Sequence, residues 1–97
     1  MAYDPGQIDA TLAAAVGDEP ALIAELRGAF LDGAKQALTT LMLAEDRAEW
    51  MASANRIKGL AASFGAVRLM ALAEDASARA IGDDEVIRKL RRAIDRL

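Results

Sequence analysis

Asn55, Lys58 and Gly59 stand at one-turn spacing near the middle of the chain, with Arg56 between them. Together they offer an amide that donates and accepts hydrogen bonds, two cationic groups able to hold an anion, and a residue with no side chain to obstruct a partner. The amide nitrogen of Asn55 has its lone pair delocalised into the carbonyl, so it is not a nucleophile. The sequence contains no histidine and no cysteine. That removes disulfides, thiolate nucleophiles, imidazole bases, phosphohistidine and the commoner zinc ligand sets. The chemistry open to this cluster is recognition, and the chain reads as a protein that is not an enzyme.

Other charged groups have plainer explanations. The acidic pairs Asp18-Glu19, Glu45-Asp46 and Glu74-Asp75 and the run Asp83-Asp84-Glu85 mostly fall at expected helix starts, where anions favour the macrodipole. Neither an EF-hand spacing nor a glycine-rich phosphate loop is present, and no metal or cofactor is expected. Arg88, Lys89, Arg91, Arg92 and Arg96 share the last helix with an apolar stripe, a pattern compatible with an anionic partner or membrane surface but read here as a solvated face. The methionines, Met42 and Met70 among them, read as packing or surface filler.

The positioning elements follow from composition and period. Ninety-seven residues suit one domain, 1–97, with a single core. A net charge of −3 and an isoelectric point near 4.8 argue against nucleic-acid binding. The charge is uneven: residues 1–48 hold three Lys/Arg against eight Asp/Glu, and residues 49–97 hold nine against seven. The second half can therefore show a mildly basic face to an acidic partner. No apolar run approaches the roughly 20 residues of a membrane span, and Met1-Ala2-Tyr3-Asp4-Pro5 lacks the basic start of a signal peptide, so a cytoplasmic location is expected.

Abundant alanine and few β-branched residues make the whole chain read as helices. Asp4-Pro5 resembles an N-cap with proline in the first turn, starting a short helix that carries Ile8, Leu12 and Val16 and stops at Gly17. A long helix over about residues 19–44 has Asp18 as cap, Pro20 in its first turn and an apolar stripe of Leu22, Ile23, Leu26, Phe30, Ala37, Leu38 and Leu41. Gly28 and Gly33 interrupt it. Asp46 and Glu49 have capping-box spacing and open a third helix to about Ser63, closed by Gly65. A fourth helix is expected from about Ala66 to Ala80, ending at Gly82. A fifth follows Asp83 and aligns Val86, Ile87, Leu90, Ile94 and Leu97. Phe30, Trp50 and Phe64 supply the bulky core contacts. On the third helix, Trp50, Ala54, Ile57, Ala61 and Phe64 face inward, which turns Asn55 outward beside Met51, Ala52, Lys58, Gly59 and Ala62.

The segment Ala54-Asn55-Arg56-Ile57-Lys58-Gly59-Leu60-Ala61-Ala62-Ser63-Phe64-Gly65-Ala66 resembles the signature of histidine-containing phosphotransfer (HPt) domains. In that family Ala-His-x-Leu-Lys-Gly leads into small residues and a Gly-Ala turn. Gly17-Asp18-Glu19-Pro20-Ala21-Leu22-Ile23-Ala24-Glu25-Leu26 and Phe30-Leu31 resemble its second-helix pattern, so the likeness covers nearly the whole chain. It implies an all-α, antiparallel four-helix bundle with a short N-terminal capping helix. Asn55 then takes the place of the phospho-accepting histidine, and Lys58, Gly59 and Ser77 neighbour the phosphoryl site. Ser77 departs from the Gln or Glu that related modules often place opposite the histidine.

The resemblance implies a phosphorelay partner: the receiver domain of a response regulator, a hybrid histidine kinase, or both. Met51, Ala52, Asn55, Arg56, Lys58, Gly59 and Ala62 would form the receiver-binding strip. A non-phosphorylatable pseudo-HPt, monomeric rather than dimeric and in contact with neither nucleic acid nor membrane, is the leading expectation. Two others stand beside it: a true phosphotransfer protein in which Asn55 replaces the natural histidine, and a small helical adaptor with no receiver partner.

Overall fold

The computed structural model describes residues 10–14, 17 and 19–97, and every regular element among them is helical. The expected all-α fold is present. Residues 10–14, here α1, bury Leu12 against the main core. The expected contributions of Asp4, Pro5, Ile8, Val16 and Asp18 lie outside the described residues. Four longer helices follow: α2 (Pro20–Met42), α3 (Arg47–Ser63), α4 (Val67–Ser77) and α5 (Asp84–Asp95).

Most of the helix starts, and the end of α3, have local causes. Pro20 sits in the first turn of α2, where its missing N–H costs nothing, and Glu19 is the N-cap without a side-chain bond. Asp46 Oδ1 accepts the Glu49 N–H at 2.8 Å, the Asp46 half of the expected capping box. At the far end of α3, Gly65 has φ +71°. Ala66 N donates to Ala61 O and Gly65 N to Ala62 O, the paired bonds of a Schellman turn. Asp83 caps α5 by accepting the Val86 N–H at 2.9 Å.

Helix α4 ends at Ser77, short of the expected Ala80. The reason lies across the interface with α3. Arg47 donates to the carbonyls of Ser77 and Arg79, and Trp50 Nε1 donates to Ala76 O at 2.8 Å. These donors satisfy carbonyls at the end of the helix, and Ala78 N and Arg79 N turn back to Asp75 O and Ala76 O in a tightened last turn.

The helices close into a ring. α2 packs on α3 and α5, α4 packs on the same two, and α3 and α5 have no close backbone approach, so they stand diagonally across the core. The bulkiest fully buried side chains are Trp50, Phe30, Leu41, Ile57, Leu69, Leu90 and Val86, interleaved with Ala34, Ala37, Ala54, Ala61, Ala66, Ala73 and Ala76. Alternating large and small residues let the helices approach closely without voids. Gly33 faces Leu60 of α3, and a Cβ there would make an ordinary contact with Leu60 Cδ1 at 3.5 Å. The phenyl rings of Phe30 and Phe64 meet at 4.7 Å between centroids, tilted by 35°, with Phe64 half-buried. Leu22 is an exception to the predicted stripe of α2: it is exposed, while its neighbours Ile23 and Leu26 pack against the core.

Candidate functional site

Helix α3 divides sharply into two faces. Trp50, Ala54, Ile57 and Ala61 are wholly inaccessible, and Ser53 joins them. Turned the other way, Ala52, Asn55, Arg56, Gly59 and Ala62 are all exposed, while Met51 and Lys58 are half-buried at the margin. Ala48 and Ser63 lengthen the exposed line by a turn at each end. Sequence reasoning did not assign these two to the strip, although extending the one-turn spacing from Ala52 and Gly59 would have reached both.

The strip has low relief. Asn55 makes no side-chain hydrogen bond to any described residue, so its amide is available to a partner. A Cβ added at Gly59 would meet nothing within 4 Å. Internal packing therefore does not require glycine there, although glycine in a helix interior costs about 0.5–1 kcal/mol relative to alanine. Gly28 on α2 is equally open, but only Gly59 lies in line with an outward amide and flanking alanines. The Ser63 hydroxyl turns back onto Gly59 O at 2.9 Å, which pulls it in towards the helix.

The two cations differ. Lys58 Nζ lies 3.1 Å from Glu74 Oε1 on α4, and both side chains are about half exposed. Arg56 has no ion pair among the described residues. Exposed pairs of the Lys58–Glu74 kind contribute little to stability, about 0–1 kcal/mol. The pair nevertheless offsets part of the positive charge beside Asn55 and leaves Arg56 as the unopposed cation of the strip.

The Ser77 hydroxyl donates to Glu74 O at 2.6 Å, and the Ser77 carbonyl receives Arg47, from the N-terminal end of α3. Glu74 is the α4 residue that reaches the candidate site. It was read with Asp75 as part of an acidic pair, but the two carboxylates have separate partners: Glu74 takes Lys58 and Asp75 takes Arg79.

Arg79 anchors a second ionic cluster at the α4–α5 connection, away from the strip. It lies 3.1 Å from Asp75, 3.2 Å from Glu85 and 3.6 Å from Asp83. Its guanidinium is held further in the charged form by the Asp75 hydrogen bond and charge, then by Glu85. The Val86 N–H, followed by the charge of Arg79, holds the Asp83 carboxyl below its ordinary range. Glu85 is lowered chiefly by the hydrogen bond and charge of Lys89, with Arg79 adding to both. These are structural ties between neighbouring turns.

Among the described residues, no cluster of three or more acidic, histidine or cysteine side chains could hold a metal ion. No helix of the described residues is long and apolar enough to cross a membrane. No family model matches the sequence, and neither curated proteins nor solved structures give a significant match.

Proposed function

We propose that this protein is a pseudo-HPt module: an antiparallel four-helix bundle with an N-terminal capping helix that docks receiver domains of two-component proteins through α3 and carries no phosphate. The observation that supports it best is the outward line of Ala52, Asn55, Gly59 and Ala62, an uncharged, low-relief strip with a free amide at its centre. Such a surface suits a partner that must approach the helix backbone closely. Asn55 occupies the place of the phospho-accepting histidine and supplies hydrogen bonds without a nucleophile. Arg56, and Lys58 once it exchanges Glu74 for the partner's carboxylates, favour the acidic face of a receiver. Sequestration or scaffolding of a response regulator or hybrid kinase in the cytoplasm is the resulting mechanism.

The test is a calorimetric or NMR titration of the chain with receiver domains of the source organism, together with a phosphotransfer assay. Binding with perturbation of the Asn55 side-chain amide is the expected result. No acid-labile phosphate should appear on the wild-type chain, whichever phosphodonor is used. Asn55→His should dock equally well. Stoichiometric labelling of wild type would contradict the assignment.

A further inference from the structure

The outward face of α5 is unlike that of any other described helix. Its inward side is filled by Val86, Ile87, Leu90, Ala93 and Ile94. Arg88, Arg91, Arg92 and Arg96 stand exposed on the other side and, with Asp95, line a shallow depression of about 330 Å³. Arg88, Arg92 and Arg96 form a one-turn-spaced row, about 6 Å from one to the next along the axis. None of the four arginines has an acidic partner among the described residues; Arg91 reaches only the Met42 sulfur, at 3.1 Å. Lys89, by contrast, is neutralised by Glu85 at 3.3 Å, and Arg79 by three carboxylates. Asp83 and Glu85 are thus engaged on the α4 side, and the exposed Asp84 and Asp95 of α5 form no ion pair with the arginine row.

We infer that this row is a second docking surface, for a partner protein's helix that carries carboxylates at one-turn spacing with a cation set among them. Guanidinium forks spaced by single turns match carboxylates presented by a helix lying alongside, and each pair can be bidentate. Asp95 decides between classes of polyanion. A lipid headgroup layer or a nucleic-acid backbone is uniformly negative and gains nothing from the carboxylate between Arg92 and Arg96, which weakens its attraction to the row, whereas a protein helix can oppose Asp95 with a lysine. Insertion into a membrane is also disfavoured, because the apolar side of α5 is already spent on the core. Since α3 and α5 are diagonal, a partner on the arginine row leaves the Asn55 strip open. The inference does not depend on what docks at Asn55.

Two capped helical peptides serve as probes for the full chain. One carries glutamate at three successive one-turn positions. The other is identical but has a lysine beside each outer glutamate, which lowers its net charge and lets a lysine face Asp95 in either orientation. In NMR titrations the Arg88, Arg92 and Arg96 side-chain signals should move while the Asn55 amide stays in place, and the lysine-bearing peptide should bind at least as tightly as the more acidic one. Asp95→Lys should reverse that order. Arg92→Glu with Arg96→Glu should weaken binding by about tenfold or more at low salt, with helical circular dichroism unchanged. Affinity that simply follows peptide charge, indifference to the double charge reversal, or preferential binding of phosphatidylserine vesicles through the same arginines would each overturn the inference.

Discussion

Helices α3 and α5 stand diagonally across one core, and their inward faces are built alike, from one-turn-spaced apolar residues that exclude water. Outwardly they differ. α3 shows Ala52, Asn55, Gly59 and Ala62, with Lys58 held by Glu74. α5 shows Arg88, Arg91, Arg92 and Arg96, none in an ion pair with a described residue. Burial constrains the inner residues of both helices, because each must fill a shared interior at crystal-like density. It says little about the outer ones. A smooth helix face and a charged one are equally compatible with the bundle, so their difference points to what each side meets.

The change with the largest expected effect removes what both faces depend on. Trp50 packs α3 against α4 and donates to Ala76 O. Trp50→Ala should cost about 3–5 kcal/mol in urea unfolding and weaken docking on both faces. Trp50→Phe should retain most of the packing but remove one of the two donors to the Ala76 carbonyl, leaving the Arg79 N–H, for about 0.5–1.5 kcal/mol. If Trp50→Ala unfolded at the wild-type midpoint, the shared-core half of the comparison would fail.

A smaller and opposite effect is expected outside. Gly59→Ala should stabilise the protein by about 0.5–1 kcal/mol, because the added methyl meets nothing and the helix gains propensity. A loss of stability would mean that glycine serves the fold rather than a partner.

Much of this contrast could be read in the sequence, and what could not has a common cause. Asp46, Glu49 and Gly65 marked both ends of α3, and one-turn periodicity separated Trp50, Ala54, Ile57 and Ala61 from Asn55. These signals are local to one helix. The end of α4 was misplaced because it depends on Arg47 and Trp50, some 30 and 26 residues away in sequence. Glu74 was passed over for the same reason: its pairing with Lys58 depends on how two helices pack. Leu22 was expected in the apolar stripe because periodicity marks a broad apolar face and does not reveal which of its margins a neighbour covers; Ile23 and Leu26 are covered and Leu22 is not. On α5 the arginines were legible, but their lack of partners was not, since it rests on Glu85 being held by Lys89 and Arg79.

Charge sharpens the comparison further. Removing the Arg56 charge with Arg56→Gln should slow association with a receiver by roughly threefold at low salt, and Lys58→Gln by less, since Glu74 already offsets Lys58. Glu74→Gln should speed association. Stopped-flow rates against ionic strength would measure all three, and equal effects of Arg56 and Lys58 would show that the ion pair does not matter to docking.

The smallest effect concerns pH. Asp83 and Glu85 have depressed carboxyl pKa values in the fold, relative to 3.8 and 4.5 without it. Their contribution is present above those unfolded values and fades as pH falls through the lower folded ones. Thermal midpoints should therefore be insensitive to these groups near neutrality and decline in acid, with a shallower decline in Asp83→Asn, which keeps a capping side chain that does not titrate. An unchanged acid profile in that variant would remove Asp83 from the account.

The central claim is that the α3 strip docks a receiver by close approach, and a titration of wild type and Gly59→Trp against receivers of the source organism tests it most directly. The tryptophan would project from an exposed position with no internal neighbour, so helical circular dichroism should be unchanged. Wild type should bind at least one receiver, with the Asn55 side-chain amide shifting, and Gly59→Trp should bind none. A receiver that binds both equally, or no receiver that binds wild type, would contradict the claim.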